Sequence, residues 1–306
     1  MIEDKNREDY VMKKKAVKKA VTVMMAAVLL TGCAGSKAEK TDSSAEAVNE
    51  ATEEQGAGEE EQKEATAAST AEVASVDDFT VRALEDGTAE LTKYSGDATE
   101  VIIPDTADGM TVSTINGFAN NKTITSVVIP DTVTKIEEQA FINCTNLTNV
   151  TMSSNIQKIG EAAFSHTNVK EVILPDTITE MEDLCFTTLE MEEPHISTSL
   201  ESLSGAFSLS KIQRVTIPGN IKVIEEMAFQ YCSLLKEVTI EEGVETIEEY
   251  AFSQCESIEK ITIPSSVTYI ASNAIWAHTD NFTIVTEAGS YAESYANEHG
   301  FNCEIQ

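Results

Sequence analysis

The chain has 306 residues, of which 21 are Lys or Arg and 52 are Asp or Glu, giving a formal net charge of -31. This acidity argues against a nucleic-acid partner, because a phosphate backbone requires a basic surface. It also disfavours direct docking on anionic lipid headgroups. Six cysteines are too few for a disulfide-rich scaffold, and the length predicts about two domains of ordinary size.

The N-terminal segment contains a basic stretch followed by an apolar run. Residues 13–19 read KKKAVKK and residues 20–30 read AVTVMMAAVLL. The run of 11 residues suits the core of an export signal and is too short for a membrane-spanning helix. We therefore predict a signal peptide over residues 1–32. The residues before Met12 are acidic and polar, which is atypical of such a signal and indicates a translation start at Met12.

A cysteine stands directly after the apolar run, in the sequence Leu30-Thr31-Gly32-Cys33. This sequence resembles the lipobox of bacterial lipoproteins. The resemblance implies cleavage before Cys33 and a diacylglycerol on its thiol, with no other cofactor. The mature chain is then expected to be exported and held on the outer face of the cell membrane by this lipid alone. The alternative is a secretory signal in which the cysteine has no role.

Residues 33–76 begin with this cysteine and continue as an acidic segment of mostly Ala, Glu, Ser, Thr, Gln and Gly. The segment has no aromatic residue and no proline, so it cannot bury enough apolar area to offset the entropy of ordering. We predict a disordered linker that holds the folded part away from the membrane. A transient Ala/Glu helix is the alternative, and like-charge repulsion extends the linker in either case.

The remaining residues, 77–306, contain one repeat used about eight times. A small residue followed by a large apolar one recurs every 21 to 23 residues, at Gly117-Phe118, Ala140-Phe141, Ala163-Phe164, Cys185-Phe186, Ala206-Phe207, Ala228-Phe229, Ala251-Phe252 and Ala274-Ile275. A fixed period of this length predicts a solenoid in which each coil contacts its neighbours.

Each repeat predicts a short strand, a proline, a second short strand and a tight helical turn. In residues 215–237, VTIPGNIKVIEEMAFQYCSLLKE, apolar residues alternate in the first strand and therefore face one side. One coil buries too little apolar surface to be stable alone, so the coils must stack and the ends need caps. We predict an N-terminal hairpin cap at residues 79–94 and a C-terminal cap of helix and strand at residues 289–305.

The full pattern, V-x-I-P-x-x-V-x-x-I-x-x-x-A-F-x-x-C-x-x-L, resembles the BspA-like leucine-rich repeats of bacterial surface proteins over about residues 79–306. The resemblance implies a β-rich α+β fold, a right-handed superhelix of the leucine-rich-repeat type with about eight coils of 22–23 residues. It also implies a place at the cell surface, where several members of the family are adhesins.

A ligand face is expected where the middle residue of each first strand points outward. These residues are Val128, Thr151, Ile173, His195, Thr216, Thr239 and Thr262. Repeat proteins often bind partners along such a row, although Thr and Val also suit strands for structural reasons alone. The segment 187–203 lacks the Ile-Pro signature, so it is either a decayed coil or a reshaped binding surface. Trp276 is expected to cover the edge of the core or to be exposed.

The sequence contains no C-x-x-C, H-E-x-x-H or G-x-S-x-G motif, and its four histidines are scattered. We therefore expect no enzyme, no metal site and no small-molecule substrate. The thiols of Cys144, Cys232 and Cys255 occupy one repeat position and are interpreted as buried and free. Adjacent coils would bring Cys232 and Cys255 near disulfide range.

Paired glutamates also recur at one place in the repeat, at residues 137–138, 225–226 and 248–249. They predict either a solvated acidic face or weak calcium binding. For the whole chain we expect an extracellular protein or glycan as partner. The alternative is an envelope spacer with an anionic surface and no specific ligand.

Overall fold

The computed structural model of the protein describes residues 72–170, 172–277 and 281–306. The signal peptide, Cys33 and the linker as far as residue 71 lie outside the described residues, and their predictions stand as predictions. Within the described ranges, no helix is long and apolar enough to cross a membrane. These residues form a β-solenoid of about nine turns, as the repeat predicts.

The first strands of successive coils pair in parallel and form two separate sheets. The first sheet contains β1 (Glu72–Val73), β4 (Glu100–Ile102), β7 (Ser126–Val128) and β9 (Asn149–Thr151). The second sheet contains β13 (Arg214–Ile217), β15 (Glu237–Ile240), β17 (Lys260–Thr262), β19 (Thr283–Thr286) and β20 (Asn302–Ile305). Two coils without a first strand lie between these sheets.

The second strands of the coils also pair in parallel and also divide into two groups. One group contains β6 (Met110–Ile115), β8 (Lys135–Ile136), β10 (Lys158–Ile159) and β11 (Glu180–Met181). The other contains β12 (Ser202–Leu203), β14 (Val223–Ile224), β16 (Thr246–Ile247) and β18 (Tyr269–Ile270). The strands are short because each coil offers only a few residues before the backbone must turn.

Hairpins and a helix occur near the two ends of the solenoid. Strands β2 (Phe79–Ala83) and β3 (Ala89–Tyr94) form an antiparallel hairpin, and β5 (Thr106–Ala107) pairs antiparallel with β6. Helix α1 (Tyr291–His299) ends at Gly300, whose φ of 72° is left-handed. The predicted hairpin, helix and final strand are thus present, and their capping role stays a prediction. Strand β1 lies before residue 77, on the linker side of the predicted boundary.

The core is a set of apolar ladders that run from coil to coil. The first-strand residues Val127 and Val150 are buried, as are the equivalent residues of later coils, among them Val172 and Val215. Aromatic rings stack from Phe118 to Phe252, with centroids 4.8 to 5.8 Å apart and planes within 18° of parallel. This stacking confirms the inward position that the 21- to 23-residue period gives to these side chains.

The segment around each phenylalanine is a chain of turns, so the predicted helical turn is wrong for most coils. Gln139 and Asn143 both have positive φ, near 59°. The N–H groups alternate in direction: that of Phe141 donates to Ala163 of the next coil at 2.8 Å, while that of Ile142 donates back to Gln139 at 3.1 Å. A helix cannot form because every second donor is used to join neighbouring coils. A 3₁₀ turn occurs at Gly205–Phe207.

Pro194 lies in the second of the two coils that have no first strand. It occupies the place held by Val172 and Val215 in neighbouring coils, and it is buried. Proline has no N–H and cannot donate to a strand ladder. Residues 172–174 also belong to no strand, although their Val-Ile-Leu sequence favours one. The irregularity that the sequence indicates at residues 187–203 is thus a true interruption of the sheet.

Candidate binding surface

The outward residues of the two sheets lie in register, as the repeat predicts. Val128 pairs with Thr151 in the first sheet, and Thr216, Thr239 and Thr262 form a row in the second. The four residues Val128, Thr216, Thr239 and Thr262 are half-buried, while Thr151 is exposed. These two rows are separated by the interrupted coils.

Ile173 and His195 stand in the interruption between the two rows and belong to no strand. The side chain of Ile173 is 83% exposed, the highest value among the large hydrophobic residues that the structure describes as exposed. Burying an isoleucine side chain contributes about 1.5–3 kcal/mol. A partner that covers Ile173 would gain this contribution.

An open depression of about 450 Å³ lies at the interruption. Its lining includes three apolar residues, Pro194, Ile196 and Pro218, of which the first two are buried. Its polar lining includes Glu193, His195, Thr216 and Glu241. The volume falls within the range of ligand pockets, so the predicted face contains a concave site at the interruption.

Asp176 fixes the conformation of the backbone beside the depression. Its Oδ1 accepts hydrogen bonds from the backbone N–H of Thr198 and from the Nε2 of His195, each at 2.9 Å. These bonds favour the charged carboxylate, and the pKa of Asp176 is lowered, chiefly by the Thr198 backbone and then by His195. The His195 side chain is therefore held toward the preceding coil, which carries both Asp176 and Ile173.

The basic side chains near the depression are already paired. Lys211 contacts Glu190, and Arg214 contacts Glu192. The Lys211 ammonium lowers the pKa of Glu190. Glu193 accepts a hydrogen bond from Thr216 Oγ1 at 2.9 Å. Glu241 is exposed, and no cation of the described residues lies within ion-pair distance of its carboxylate.

Six lining residues were not named as ligand-face residues from the sequence: Glu193, Pro194, Ile196, Thr198, Pro218 and Glu241. The first four lie in the segment 187–203, whose missing Ile-Pro signature had indicated either a decayed coil or a reshaped binding surface. Pro194 in a strand position is the stronger part of that signal, because proline excludes a central strand. Asp176 was missed as well, since its partners are backbone and side-chain groups of the next coil.

The repeat cysteines are buried free thiols, which confirms their structural interpretation. The Sγ atoms of Cys144, Cys232 and Cys255 donate to phenylalanine carbonyl oxygens at 3.0 to 3.2 Å. Burial raises the pKa of Cys144 to about 11 and that of Cys232 to about 12. These thiols are poor nucleophiles at neutral pH, because the reactive form is the thiolate.

One of the paired glutamates binds the backbone of a neighbouring coil: Glu248 Oε2 accepts from the backbone N–H of Glu226 at 3.1 Å. Glu182, which is outside the predicted pairs, accepts in the same way from the backbone N–H of Glu161 at 2.9 Å. Part of the predicted acidic face therefore has a structural role. Within the described ranges, no group of three or more His, Cys, Asp or Glu residues could hold a metal ion.

The family of the chain follows from its repeats. The family model described as "BspA type Leucine rich repeat region" matches residues 113–233 and 196–283, in six copies. These matches cover more than half of the chain. The chain belongs to the BspA-type leucine-rich repeat family. Leucine-rich-repeat proteins are generally non-enzymatic binding proteins, and membership supports a role in protein–protein interaction.

Solved bacterial structures resemble the BspA-type solenoid of this chain. A leucine-rich repeat protein from Bacteroides ovatus is 23% identical with a TM-score of 0.51, and the match covers 75% of this chain and 66% of that one. A leucine-rich repeat protein from T. pallidum is 18% identical with a TM-score of 0.47, and the match covers 76% of this chain and 99% of that one. The B. ovatus likeness shows the shared fold. The comparison with curated proteins found no match.

Proposed function

We propose that the protein is a lipid-anchored cell-surface protein whose BspA-type solenoid binds an extracellular protein or glycan. The observation that carries the proposal is the exposed Ile173 beside the concave interruption of the strand face. An exposed aliphatic residue next to a depression supplies the apolar contact and shape that a partner surface needs. Adhesion to host or neighbouring-cell macromolecules is the role this supports best.

A macromolecular partner fits the site better than a small molecule does. The depression is open, and the row of outward residues continues from it along β13, β15 and β17. Enclosed pockets suit small ligands because they bury most of the ligand surface. An open site flanked by a regular row suits a partner that spans several coils.

The anchoring part of the proposal is supported by the sequence at residues 13–33. A basic stretch, a short apolar run and the Leu30-Thr31-Gly32-Cys33 sequence occur in the order that lipoprotein export requires. One lipid chain gives only reversible membrane binding, whereas two acyl chains anchor a protein stably. A diacylglycerol on Cys33 supplies two.

Replacing Cys33 tests the anchor. We expect Cys33→Ala to move most of the protein from the membrane fraction to the medium, because the thioether cannot form without the thiol. Cell fractionation with immunoblotting measures this change, and Cys303→Ala is the matched control, since Cys303 lies in the last strand. Unchanged membrane retention of Cys33→Ala would contradict lipid anchoring.

A binding screen of the full chain at physiological salt tests the interaction. The probes are immobilised matrix proteins and bacterial surface polysaccharides. The test variant has glutamate at four outward positions, Thr151, Ile173, Thr216 and Thr239. The control variant places glutamate at four exposed residues elsewhere in the coils, Thr145, Thr179, Ser233 and Thr268. Both variants gain the same charge, and circular dichroism checks that both stay folded.

We expect saturable binding of one probe. The test variant should lower the affinity for this probe at least tenfold, a loss of at least about 1.4 kcal/mol of binding free energy. The control variant should keep the affinity within about twofold. Equal losses in both variants would move the site away from the strand face. The absence of a saturable probe at micromolar protein would favour the alternative, an anionic spacer without a specific ligand.

A further inference from the structure

The depression at the interruption combines an apolar floor with a carboxylate edge. Pro194 and Ile196 are buried beneath it, and Pro218 is half-buried. Glu193 and Glu241 line it from exposed positions. An apolar floor with an unpaired carboxylate at its edge, that of Glu241, is complementary to a side chain that has an apolar stem and a cationic head.

The uncompensated charge at this edge is negative. Lys211 is held by Glu190, while Arg214 contacts Glu192 and also lies 3.9 Å from Glu193, so the charge of Glu193 is compensated and that of Glu241 is not. The Glu241 carboxylate has no cationic partner among the described residues. The backbone N–H of Glu241 donates to the Ile217 carbonyl oxygen at 2.9 Å. Its backbone is therefore fixed by the coil, and its charge is available to a ligand.

We infer that the depression binds an arginine or lysine side chain from an extended segment of the partner protein, an inference that rests on the proposed function. The methylene stem lies on the faces of Pro194 and Pro218, and the cationic head pairs with Glu241. Arginine is preferred over lysine because its planar guanidinium can donate two parallel hydrogen bonds to one carboxylate. The net charge of -31 also favours the approach of a basic segment.

Ile173 adds a second contact, one coil before Pro194 and three coils before Glu241. Asp176, on the same coil as Ile173, binds His195 at 2.9 Å, so this coil lies directly against the depression. Neighbouring rungs of a parallel ladder are separated by about 4.8 Å. Ile173 is three coils before Glu241, or about 14 Å along the stack, so an extended segment needs an arginine and a leucine about four residues apart to reach both. A partner segment with basic and apolar residues in alternation meets this requirement.

The probes for the test are short fluorescent peptides, measured with the full chain by fluorescence anisotropy at physiological salt. One peptide alternates arginine and leucine. Three others replace arginine by lysine, arginine by glutamate, or leucine by serine. We expect saturable binding of the arginine–leucine peptide, a several-fold weaker affinity with lysine or serine, and no binding with glutamate.

The decisive variants change one charge at a time. Glu241→Gln removes the carboxylate and should weaken the arginine–leucine peptide about fivefold to tenfold. Glu241→Asp keeps the charge and should retain most of the affinity. Glu256→Gln is the matched control, because Glu256 is equally exposed and lies outside the depression; it should change the affinity by less than twofold.

Two results would overturn the inference. One is the absence of saturable binding of the arginine–leucine peptide. The other is an equal loss with Glu241→Gln and Glu256→Gln, which would mean general attraction to an acidic protein. A macromolecular partner that is lost in the four-glutamate variant but bound normally by Glu241→Gln would keep the proposed function and reject this site chemistry.

Discussion

At the scale of single residues, the same small set of side chains performs the same task in every coil. The phenylalanine of each repeat stacks on the next, and the residue before it is small because the coils approach closely there. Phe164, for example, has ring centroids at 5.0 Å from Phe141 and 5.4 Å from Phe186. Such positions can be predicted from the sequence, since their burial is what fixes the period.

Other residue-scale features leave no mark in the sequence. The left-handed positions two residues after each repeat phenylalanine are occupied by Asn120, Asn143, His166, Thr188, Leu209, Tyr231 and Gln254. Glycine or asparagine is the usual choice for such a conformation. Here the bonds between coils impose it on whichever residue is present, so propensity alone predicts a helical turn.

The buried thiols predict a loss of stability at alkaline pH. Burial raises the pKa values of Cys144 and Cys232 to about 11 and about 12, and those of Cys185 and Cys255 well above the ordinary 9. The unfolded chain therefore releases these protons near pH 9, before the folded chain does. Stability is fully present below pH 9 and falls above it, by about 1.4 kcal/mol per thiol per pH unit.

Urea unfolding at about pH 8.5 and about pH 10.5 measures this slope. Cys232→Ser is the matched variant, because Ser210 occupies the same repeat position one coil earlier and its Oγ contacts Cys232 Sγ at 3.3 Å. We expect the serine variant to fold and to lose less stability with rising pH. Equal slopes in the two proteins would contradict a role for the Cys232 thiol.

At the scale of elements, the strands are too short to be stable by themselves and depend on pairing along the solenoid. Strand β8 has two residues and is paired on both sides, with β6 and β10. Pro194 cannot donate to a ladder, and the first strand is absent from its coil and from the coil before it. The depression and the exposed Ile173 both lie at this interruption.

A close backbone approach beside the depression predicts a glycine requirement. Gly243 has a φ of +115°, and a Cβ there would lie 2.4 Å from the carbonyl oxygen of Gly219. We expect Gly243→Ala to lower the free energy of unfolding by about 2–4 kcal/mol, since it adds backbone strain and a steric clash.

Gly109→Ala is the control for this change. Gly109 has a φ of +75°, and nothing lies within 4 Å of an added Cβ, so only the left-handed backbone costs about 1–2 kcal/mol. Urea unfolding compares the two variants under the same conditions. If Gly243→Ala were no more destabilising than Gly109→Ala, the close contact with Gly219 would not constrain the fold.

At the scale of the whole molecule, the solenoid is a one-dimensional stack in which each coil contacts its neighbours. Its stability is then approximately the sum of coil and interface contributions. Equivalent residues of adjacent coils pair directly, as Val238 does with Ile261. The length of the stack can therefore change by whole coils without disturbing the register.

Deleting one coil tests this modularity. Removal of residues 238–260 joins Glu237 to Ile261 and brings the coil of Val215 against that of Ile261. We expect a folded protein with a cooperative transition and a free energy of unfolding lower by about 1–3 kcal/mol, in proportion to its length. Circular dichroism during urea unfolding measures both properties.

Removal of residues 238–248 alone is the matched control. It deletes half a coil, so Glu249 replaces Val238 at an inward position and every later coil must shift. We expect this protein to lose cooperative unfolding. If both deletions behaved alike, the coils would not be the independent units of the fold.

The sequence by itself determined the solenoid, its period, the inward ladders and the buried cysteines. It could do so because burial repeats every 21 to 23 residues and leaves a regular apolar pattern. It also indicated where the pattern failed, at residues 187–203. Only the tertiary structure decided what that failure produces, because the consequences of Pro194 depend on neighbouring coils. The concave site of Pro194, Pro218 and Glu241 is made of residues that are separated in sequence and become neighbours only when the coils stack.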